Sequence, residues 1–136
     1  MSWLLDVNLI LASRWATHPD HPAAKAWIDS VDKFYTTAIT ELGFVRISLS
    51  PAYQATWGET QAALMKLRAR SGHQFLVDDV DGAALPETGS RETTDAHLVT
   101  LAKRHGLKLA TLDEVLVGKP WAAGIAENPL RRLGKS

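Results

Sequence analysis

The sequence contains no cysteine among its 136 residues, which excludes disulfides, thiolate metal sites and cysteine nucleophiles. It also lacks any apolar run approaching the roughly 20 residues that a membrane-spanning helix requires. The N-terminal stretch Trp-Leu-Leu-Asp resembles a strand and has neither a basic region nor a signal core. We therefore expect a cytoplasmic protein without a membrane segment, which suits a reducing compartment.

The sequence also has no excess of positive or of negative residues. Fifteen lysines and arginines balance fifteen aspartates and glutamates, so the formal net charge is zero at pH 7. No overall basic field would draw in nucleic acid, and an RNA partner would have to be held by local patches and bound cations. What the chain does have is 46% hydrophobic residues, enough for a buried core, and we expect one domain over residues 1–136.

Short apolar segments alternate with helical patterns along the chain. Strands are predicted at residues 3–6, 33–38, 74–77 and 107–111, with a possible edge strand at 124–126, and helices at 9–12, 23–31, 40–49, 57–70 and 93–105. Asn8, Thr40 and either Thr93 or Thr94 are the predicted helix caps. This alternation predicts an α/β sandwich of three layers, in which helices flank a central, mostly parallel sheet of four or five strands.

The segment from Thr93 to Asp113 suggests a functional site. A helix predicted to end at Gly106 is followed by a short strand, and the two have similar lengths at about 1.5 and 3.3 Å per residue, so the chain returns to the edge where it began. Asp95 at the helix start and Asp113 after the strand should therefore lie on the same edge of the sheet. Asp6, after the first strand, and Glu41, in the first turn of a helix, belong to this edge by the same reasoning.

Four acids on one edge of the sheet require an explanation. Favourable interaction with a helix dipole, worth about 0.3–1 kcal/mol, would account for Glu41 and Asp95 but not for Asp6 and Asp113. Two unit charges about 4 Å apart repel by about 4 kcal/mol at an effective dielectric near 20, so the cluster needs a cation or a shared proton. Carboxylates alone favour Mg²⁺, with Mn²⁺ as a substitute, and such a site suits phosphodiester hydrolysis with one ion or two.

Two polar residues lie beside these acids in the sequence. Asn8 and Thr111 are candidates for hydrogen bonds that orient the metal ligands, although either would serve equally as a capping or turn residue. His18 and His21 have a spacing found in metal sites, but two prolines beside them favour an exposed loop.

Four segments together resemble the PIN-domain family, in particular the VapC toxins of bacterial toxin–antitoxin operons. They are LLDVN at 4–8, TAITELGFVR at 37–46, TTDAHLVTLAKRHG at 93–106 and ATLD at 110–113. The resemblance implies a PIN fold, a metal-dependent endoribonuclease acting on RNA, a homodimer, and a VapB-type antitoxin that blocks the site and builds a higher assembly. By position, the family's acidic residues correspond to Asp6, Glu41, Asp95 and Asp113, as metal ligands and catalytic residues.

Two other functions remain open at this point. A PIN fold without catalysis would act as a binding module for RNA or antitoxin. A phosphatase using Asp6 as its nucleophile would normally carry a second acid two residues later, where this chain has Asn8.

Possible contacts with partners are less specific in the sequence. Phosphate contacts are predicted from Arg14, Arg46, Arg91, Arg131 and Arg132, whereas Lys66, Arg68 and Arg70 mainly indicate a solvated helix face. Trp15, Trp27 and Trp57 are candidates to line an apolar groove for an antitoxin helix, or alternatively to pack in the core or a dimer interface.

Overall fold

The computed structural model describes residues 2–133, and the side chains of residues 2–131. It contains a five-stranded sheet in the order β3-β2-β1-β4-β5, in which every neighbouring pair is parallel. The strands are β1 (Trp3–Leu5), β2 (Phe34–Thr37), β3 (His73–Leu76), β4 (Lys108–Ala110) and β5 (Ala126–Glu127). The predicted parallel α/β sheet is confirmed, although β3 begins one residue earlier than predicted, the other four strands are shorter than predicted, and β5 begins at Ala126.

Seven α-helices connect these strands. They are α1 (Val7–Arg14), α2 (His21–Ser30), α3 (Ala38–Ser48), α4 (Trp57–Arg68), α5 (Thr93–Arg104), α6 (Glu114–Val117) and α7 (Pro129–Leu133). Within residues 2–133, no helix has the length and hydrophobicity that crossing a bilayer requires.

Alternation along the central strand divides the core into two layers. Trp3 and Leu5 of β1 pack on one face of the sheet with α1, α2, Phe44 of α3 and Leu67 of α4. Leu4, between them, faces the other side and belongs to the cluster formed by α5 with Leu109 of β4. Helices α1 to α4 therefore cover one face and α5 the other, which confirms the three-layer sandwich.

Strand order determines where a site can form. The chain passes from β1 outward to β2 and β3, and then crosses back to add β4 on the other side of β1. Leu5 of β1 pairs with Ala110 of β4, so the residues that follow these two strands are neighbours at their carboxyl ends. A reversal of strand order at this point opens the crevice in which open α/β sheets bind their ligands.

Three of the predicted helix caps are wrong. Helix α1 begins two residues earlier than predicted because the Asp6 carboxylate, rather than Asn8, accepts the Val7 N–H at 2.8 Å. Helix α3 is capped by Thr37, whose N–H donates to the Thr40 hydroxyl at 3.1 Å. Helix α5 has Glu92 at its cap position because a 3₁₀ turn over Ser90–Glu92 leads directly into it. The left-handed conformation predicted for Gly106 is confirmed by its φ of 68°.

Exposed apolar side chains lie on helix α3 and directly after its last residue. Leu42 is 68% exposed and Leu49 44% exposed, whereas Gly43 and Phe44 are buried. A Cβ atom on Gly43 would lie 2.7 Å from a methyl group of Val7, so the absence of a side chain there allows α3 to approach α1 closely. The exposed side of α3 is thus available to a partner.

Candidate active site

Asp6 is the most buried acid of the site, with 6% of its surface exposed. Its backbone N–H donates to the Ala110 carbonyl at 2.9 Å, which joins the ends of β1 and β4. One carboxylate oxygen caps α1, and the other accepts the Thr111 hydroxyl at 2.8 Å. Burial raises the pKa of Asp6, opposed by these two hydrogen bonds and reinforced by the charge of Asp113.

Thr111 is fully buried and connects the residues around Asp6. While donating to Asp6, its hydroxyl oxygen accepts the Asn8 amide at 3.2 Å and the Asp113 N–H at 3.1 Å. The Asn8 side-chain oxygen in turn accepts the Leu112 N–H at 3.1 Å. Asn8 and Thr111 therefore hold the turn after β4 against the start of α1, beside Asp6, as their predicted role requires.

Replacing Thr111 by valine tests this network. The variant keeps the shape but leaves Asp6, Asn8 and the Asp113 N–H without their shared partner. We expect it to lose about 1–3 kcal/mol of unfolding free energy in urea denaturation, the usual cost of a buried group left unsatisfied.

Thr100→Val is the matched control, since the Thr100 hydroxyl bonds only to the Ala96 carbonyl of its own helix. If the two variants lose equal stability, the network around Asp6 contributes no more to the unfolding free energy than a single hydroxyl hydrogen bond within a helix.

Asp95 and Asp113 lie within electrostatic reach of Asp6. Burial raises the pKa of Asp95 to about 6, and the negative charges of Asp6, Asp113 and Glu92 act in the same direction. No donor in the described part of the chain forms a hydrogen bond with the Asp95 carboxylate. The Asp113 carboxylate caps α6 by accepting the N–H groups of Val115 and Leu116. Three aspartates from β1, α5 and the turn after β4 thus share one negatively charged region.

Glu41 is held by a different set of residues. Its Oε2 atom accepts the Thr36 hydroxyl at 2.6 Å and an Arg68 guanidinium nitrogen at 2.5 Å. The Thr36 oxygen lies 2.7 Å from His73 Nε2, and because its hydrogen is given to Glu41, His73 must be the donor. Glu41 is not among the charges that raise the pKa of Asp95.

This second group contains the residues that sequence reasoning missed. Arg68 was interpreted as part of a solvated face, yet it pairs with Glu41 and lies 5.0 Å above the Phe75 ring. Burial and the charge of Arg68 lower the pKa of His73, opposed by the charge of Glu41. Only the pairing of β2 with β3 brings His73 and Thr36 together, and no local motif in the sequence signals that pairing.

The two histidines with metal-like spacing are not arranged as ligands. His18 Nδ1 accepts the Asp20 N–H, and His21 Nδ1 donates to the Ala12 carbonyl at 2.8 Å. His21 is already in α2, because Pro22 occupies an early helical position at which its missing N–H costs nothing.

Of the arginines predicted to contact phosphate, Arg14, Arg46 and Arg91 form no ion pair with the described residues. Arg131 pairs with Glu114 at 3.0 Å, whereas the side chain of Arg132 lies outside the described residues. Trp27 is buried and packs edge-to-face on Trp3, so it belongs to the core and does not line a groove. Trp15 is partly buried against Phe44, and Trp57 is 58% exposed.

The acidic edge has the donor chemistry of a divalent cation site. Among the described residues, no three acidic or histidine side chains converge closely enough to form a ready-made site. Asp95 nevertheless accepts no hydrogen bond from the described residues, and the charges that act on it are those of the carboxylates of Asp6, Asp113 and Glu92. That chemistry fits a hard cation such as Mg²⁺ or Mn²⁺, whose charge would offset the repulsion within the cluster.

Comparison with known proteins identifies the family of the chain. The model of the PIN domain family matches residues 3–119. Ribonuclease VapC38 of Mycobacterium tuberculosis is 39% identical to this chain, and the match covers 81% of this chain and 84% of VapC38. Ribonuclease VapC39 of the same species is 36% identical, and the match covers 93% of this chain and 99% of VapC39. The crystal structure of PAE2754 from Pyrobaculum aerophilum superposes with a TM-score of 0.67 at 20% identity, covering 100% of this chain and 91% of that one. The chain belongs to the PIN-domain family and, within it, to the VapC ribonucleases.

Proposed function

We propose that this protein is a metal-dependent endoribonuclease toxin of a type II toxin–antitoxin system, which hydrolyses phosphodiester bonds of RNA. The observation that supports the proposal most strongly is the joint field of Asp6, Asp95 and Asp113 at the carboxyl end of a parallel sheet. The identity shared with the VapC ribonucleases supports it independently.

In the proposed mechanism, Asp6, Asp95 and Asp113 would hold Mg²⁺, or Mn²⁺ in its place, and Glu41 would bind the ion or orient the attacking water. The cation would polarise a phosphoryl oxygen and lower the pKa of an attacking water. The chain's own residues orient the donors: Thr111 fixes one oxygen of Asp6, and Asn8 keeps Thr111 in place. Thr36 and Arg68 fix one oxygen of Glu41 and leave the other without a hydrogen-bond donor from the described residues.

Incubation of the purified protein with total RNA tests this function. With Mn²⁺ or Mg²⁺ we expect endonucleolytic fragments, whose ends are identified by sequencing, and no fragments with EDTA. RNA that stays intact across both cations and varied substrates would favour a PIN fold that only binds RNA or antitoxin.

Arg68 gives a prediction about cation binding. Its guanidinium occupies the Glu41 carboxylate, so a cation and Arg68 compete for the same acid. An ion pair this exposed contributes on the order of 0.5–1 kcal/mol, and we therefore expect Arg68→Gln to tighten Mn²⁺ binding about two- to fivefold in calorimetric titration.

Arg104→Gln provides the control, because Arg104 pairs with Asp79 at 3.3 Å, a pair in which no residue of the proposed site takes part. An Arg68→Gln protein that binds Mn²⁺ no better than the Arg104 variant would show that the ion pair does not restrain Glu41.

We further propose a VapB-type antitoxin as partner, a homodimer, and a larger assembly with the antitoxin. Exposed Leu42 on α3 and Phe75 and Val77 at the β3 edge offer apolar surface for such contacts. Co-purification of the toxin with the product of an adjacent small reading frame, followed by mass measurement of the complex, tests these partners. A complex that leaves RNA cleavage uninhibited would contradict the antitoxin assignment.

A further inference from the structure

A basic cavity lies on the helical face formed by α1, α2 and α4. Its lining includes four side chains with a positive charge at neutral pH, together with His21, Trp15 and one acid. The four cations are Arg14 at the end of α1, Lys25 of α2, Lys66 of α4 and Arg70 after α4. No part of the proposed mechanism uses this cavity.

The acids around the cavity do not neutralise it. Glu59, the acid in the lining, is occupied in capping α4, where it accepts the Thr56 N–H at 2.8 Å. Asp29 is shared by two of the cations, at 3.3 Å from Lys25 and 2.8 Å from Arg70. Within the described part of the chain, neither Arg14 nor Lys66 forms an ion pair with a carboxylate.

Gathering these cations has a cost in the free protein. Burial lowers the pKa of Arg14 and the charge of Arg70 lowers it further, whereas the charge of Asp29, already paired with Arg70, opposes this lowering only in part. Two guanidinium groups that repel each other in a partly desolvated place are unfavourable unless an anion joins them. Because Arg and Lys are the usual protein ligands of phosphate, a phosphate group is the anion that this lining suits.

The cavity also has a fixed relation to the acidic edge. Helix α1 begins at its cap residue Asp6 and ends at Arg14, and eight residues of α-helix extend about 12 Å. An RNA strand whose scissile phosphate lies at the acidic edge would span this distance in about three or four nucleotides, at about 3.4 Å each, and reach the cavity with a more distant phosphate. Sites that bind single-stranded nucleic acid typically combine a basic groove with an aromatic side chain, and Trp15 supplies one here.

We propose that this cavity binds backbone phosphates of the RNA substrate a few nucleotides from the cleaved bond, through Arg14 and Lys66 in particular. The inference rests on the proposed ribonuclease function and names the surface that holds its substrate. An acidic peptide is the other polyanion to consider. The lining is unfavourable for a peptide helix because its apolar members are Trp15, Ala62 and Ala63, with no large aliphatic side chain.

Salt-dependent binding tests the proposal. The probe is a labelled single-stranded oligoribonucleotide of mixed sequence, about 20 nucleotides long, with EDTA present and Asp95→Asn as the common background. Removing one phosphate contact lowers the slope of log K against log salt by about 0.7 for a single strand. We expect Arg14→Gln with Lys66→Gln to lower that slope by about 1.4 and to weaken binding at least tenfold at low salt.

Lys103→Gln with Arg104→Gln is the matched control, because these two cations belong to α5 on the opposite face of the sheet. Lys66→Gln and Lys103→Gln alone form a second matched pair that cannot disturb a buried contact, since both side chains are exposed. An unchanged slope in the Arg14 and Lys66 variants, or a wild-type protein that does not bind the probe, would overturn the proposal. If the Arg14 and Lys66 variants lose binding to a polyglutamate peptide but bind the RNA probe as before, the proposal is also overturned.

The outcome is separable from that of the ribonuclease assignment. A wild-type protein that binds through the cavity yet never cleaves RNA with Mn²⁺ would keep the phosphate site and refute the enzyme. If the wild-type protein cleaves RNA but the slope of log K against log salt is unchanged in the Arg14 and Lys66 variants, the phosphate site is refuted and the ribonuclease assignment stands.

Discussion

Asp95→Asn is expected to reduce RNA cleavage by a factor of about 10²–10³ or more while leaving the fold intact. The change removes one carboxylate from the proposed cation site, and a bound cation supplies several kcal/mol of transition-state stabilisation, where about 1.4 kcal/mol is a factor of ten. Asparagine has nearly the same size, and Asp95 has no hydrogen bond from the described residues to lose. Initial rates of cleavage with saturating Mn²⁺ measure the effect.

Asp79→Asn is the control, since Asp79 pairs with Arg104 and His105 and raises no pKa in the acidic cluster. An Asp95→Asn protein with the wild-type rate would end the nuclease mechanism proposed here. A variant that has lost its circular-dichroism signal would be replaced by Asp113→Asn, which must then show the same loss of rate.

The contribution of Asp95 to stability without metal should fall as pH rises from about 4 to 7. Asp95 in the folded protein has a pKa raised to about 6, whereas the ordinary pKa of an aspartate is 3.8, so between these values the folded state binds more protons than the unfolded state. The raised pKa of Asp6 acts in the same direction. Asp95→Asn should therefore be more stable than wild type at pH 7, with the difference disappearing below about pH 4.

Mn²⁺ should reverse this loss of stability. At a concentration 100 times its dissociation constant, a ligand that binds only the folded state adds about 2.7 kcal/mol. We expect a higher Tm with Mn²⁺ at pH 7 than with EDTA in wild type, a smaller rise at pH 5, and almost none in Asp95→Asn. A Tm that does not respond to Mn²⁺ at pH 7 in wild type, or responds equally in the variant, would contradict the cation site.

The layered α/β fold follows from patterns that the sequence carries locally. Apolar runs such as Leu107 to Ala110 and the left-handed Gly106 mark where strand β4 begins, and the return of the chain places Asp95 near Asp113. Those features depend on periodicity and backbone geometry, which short segments determine. Parallel topology predicts that Asp6 lies on the same edge, but its closeness to them also requires β1 and β4 to be neighbours, which the structure shows and the sequence does not.

Contacts that depend on packing between distant segments were not predictable in the same way. Arg68 reaches Glu41 across 27 positions and His73 reaches Thr36 across 37, so no helical or strand period connects either pair. The N-terminus of α1 was misplaced because Asp6 and Asn8 are both good caps, and the choice depends on the Thr111 hydroxyl, which holds the second oxygen of Asp6. Tertiary hydrogen bonds, rather than local preference, decided these positions.

Anomalous scattering from crystals soaked in Mn²⁺ would test the central claim most directly. If the three aspartates hold the catalytic cation, the strongest anomalous peak should be bounded by carboxylate oxygens of Asp6, Asp95 and Asp113. A peak elsewhere, or none at these residues in crystals of protein that cleaves RNA with Mn²⁺, would contradict it.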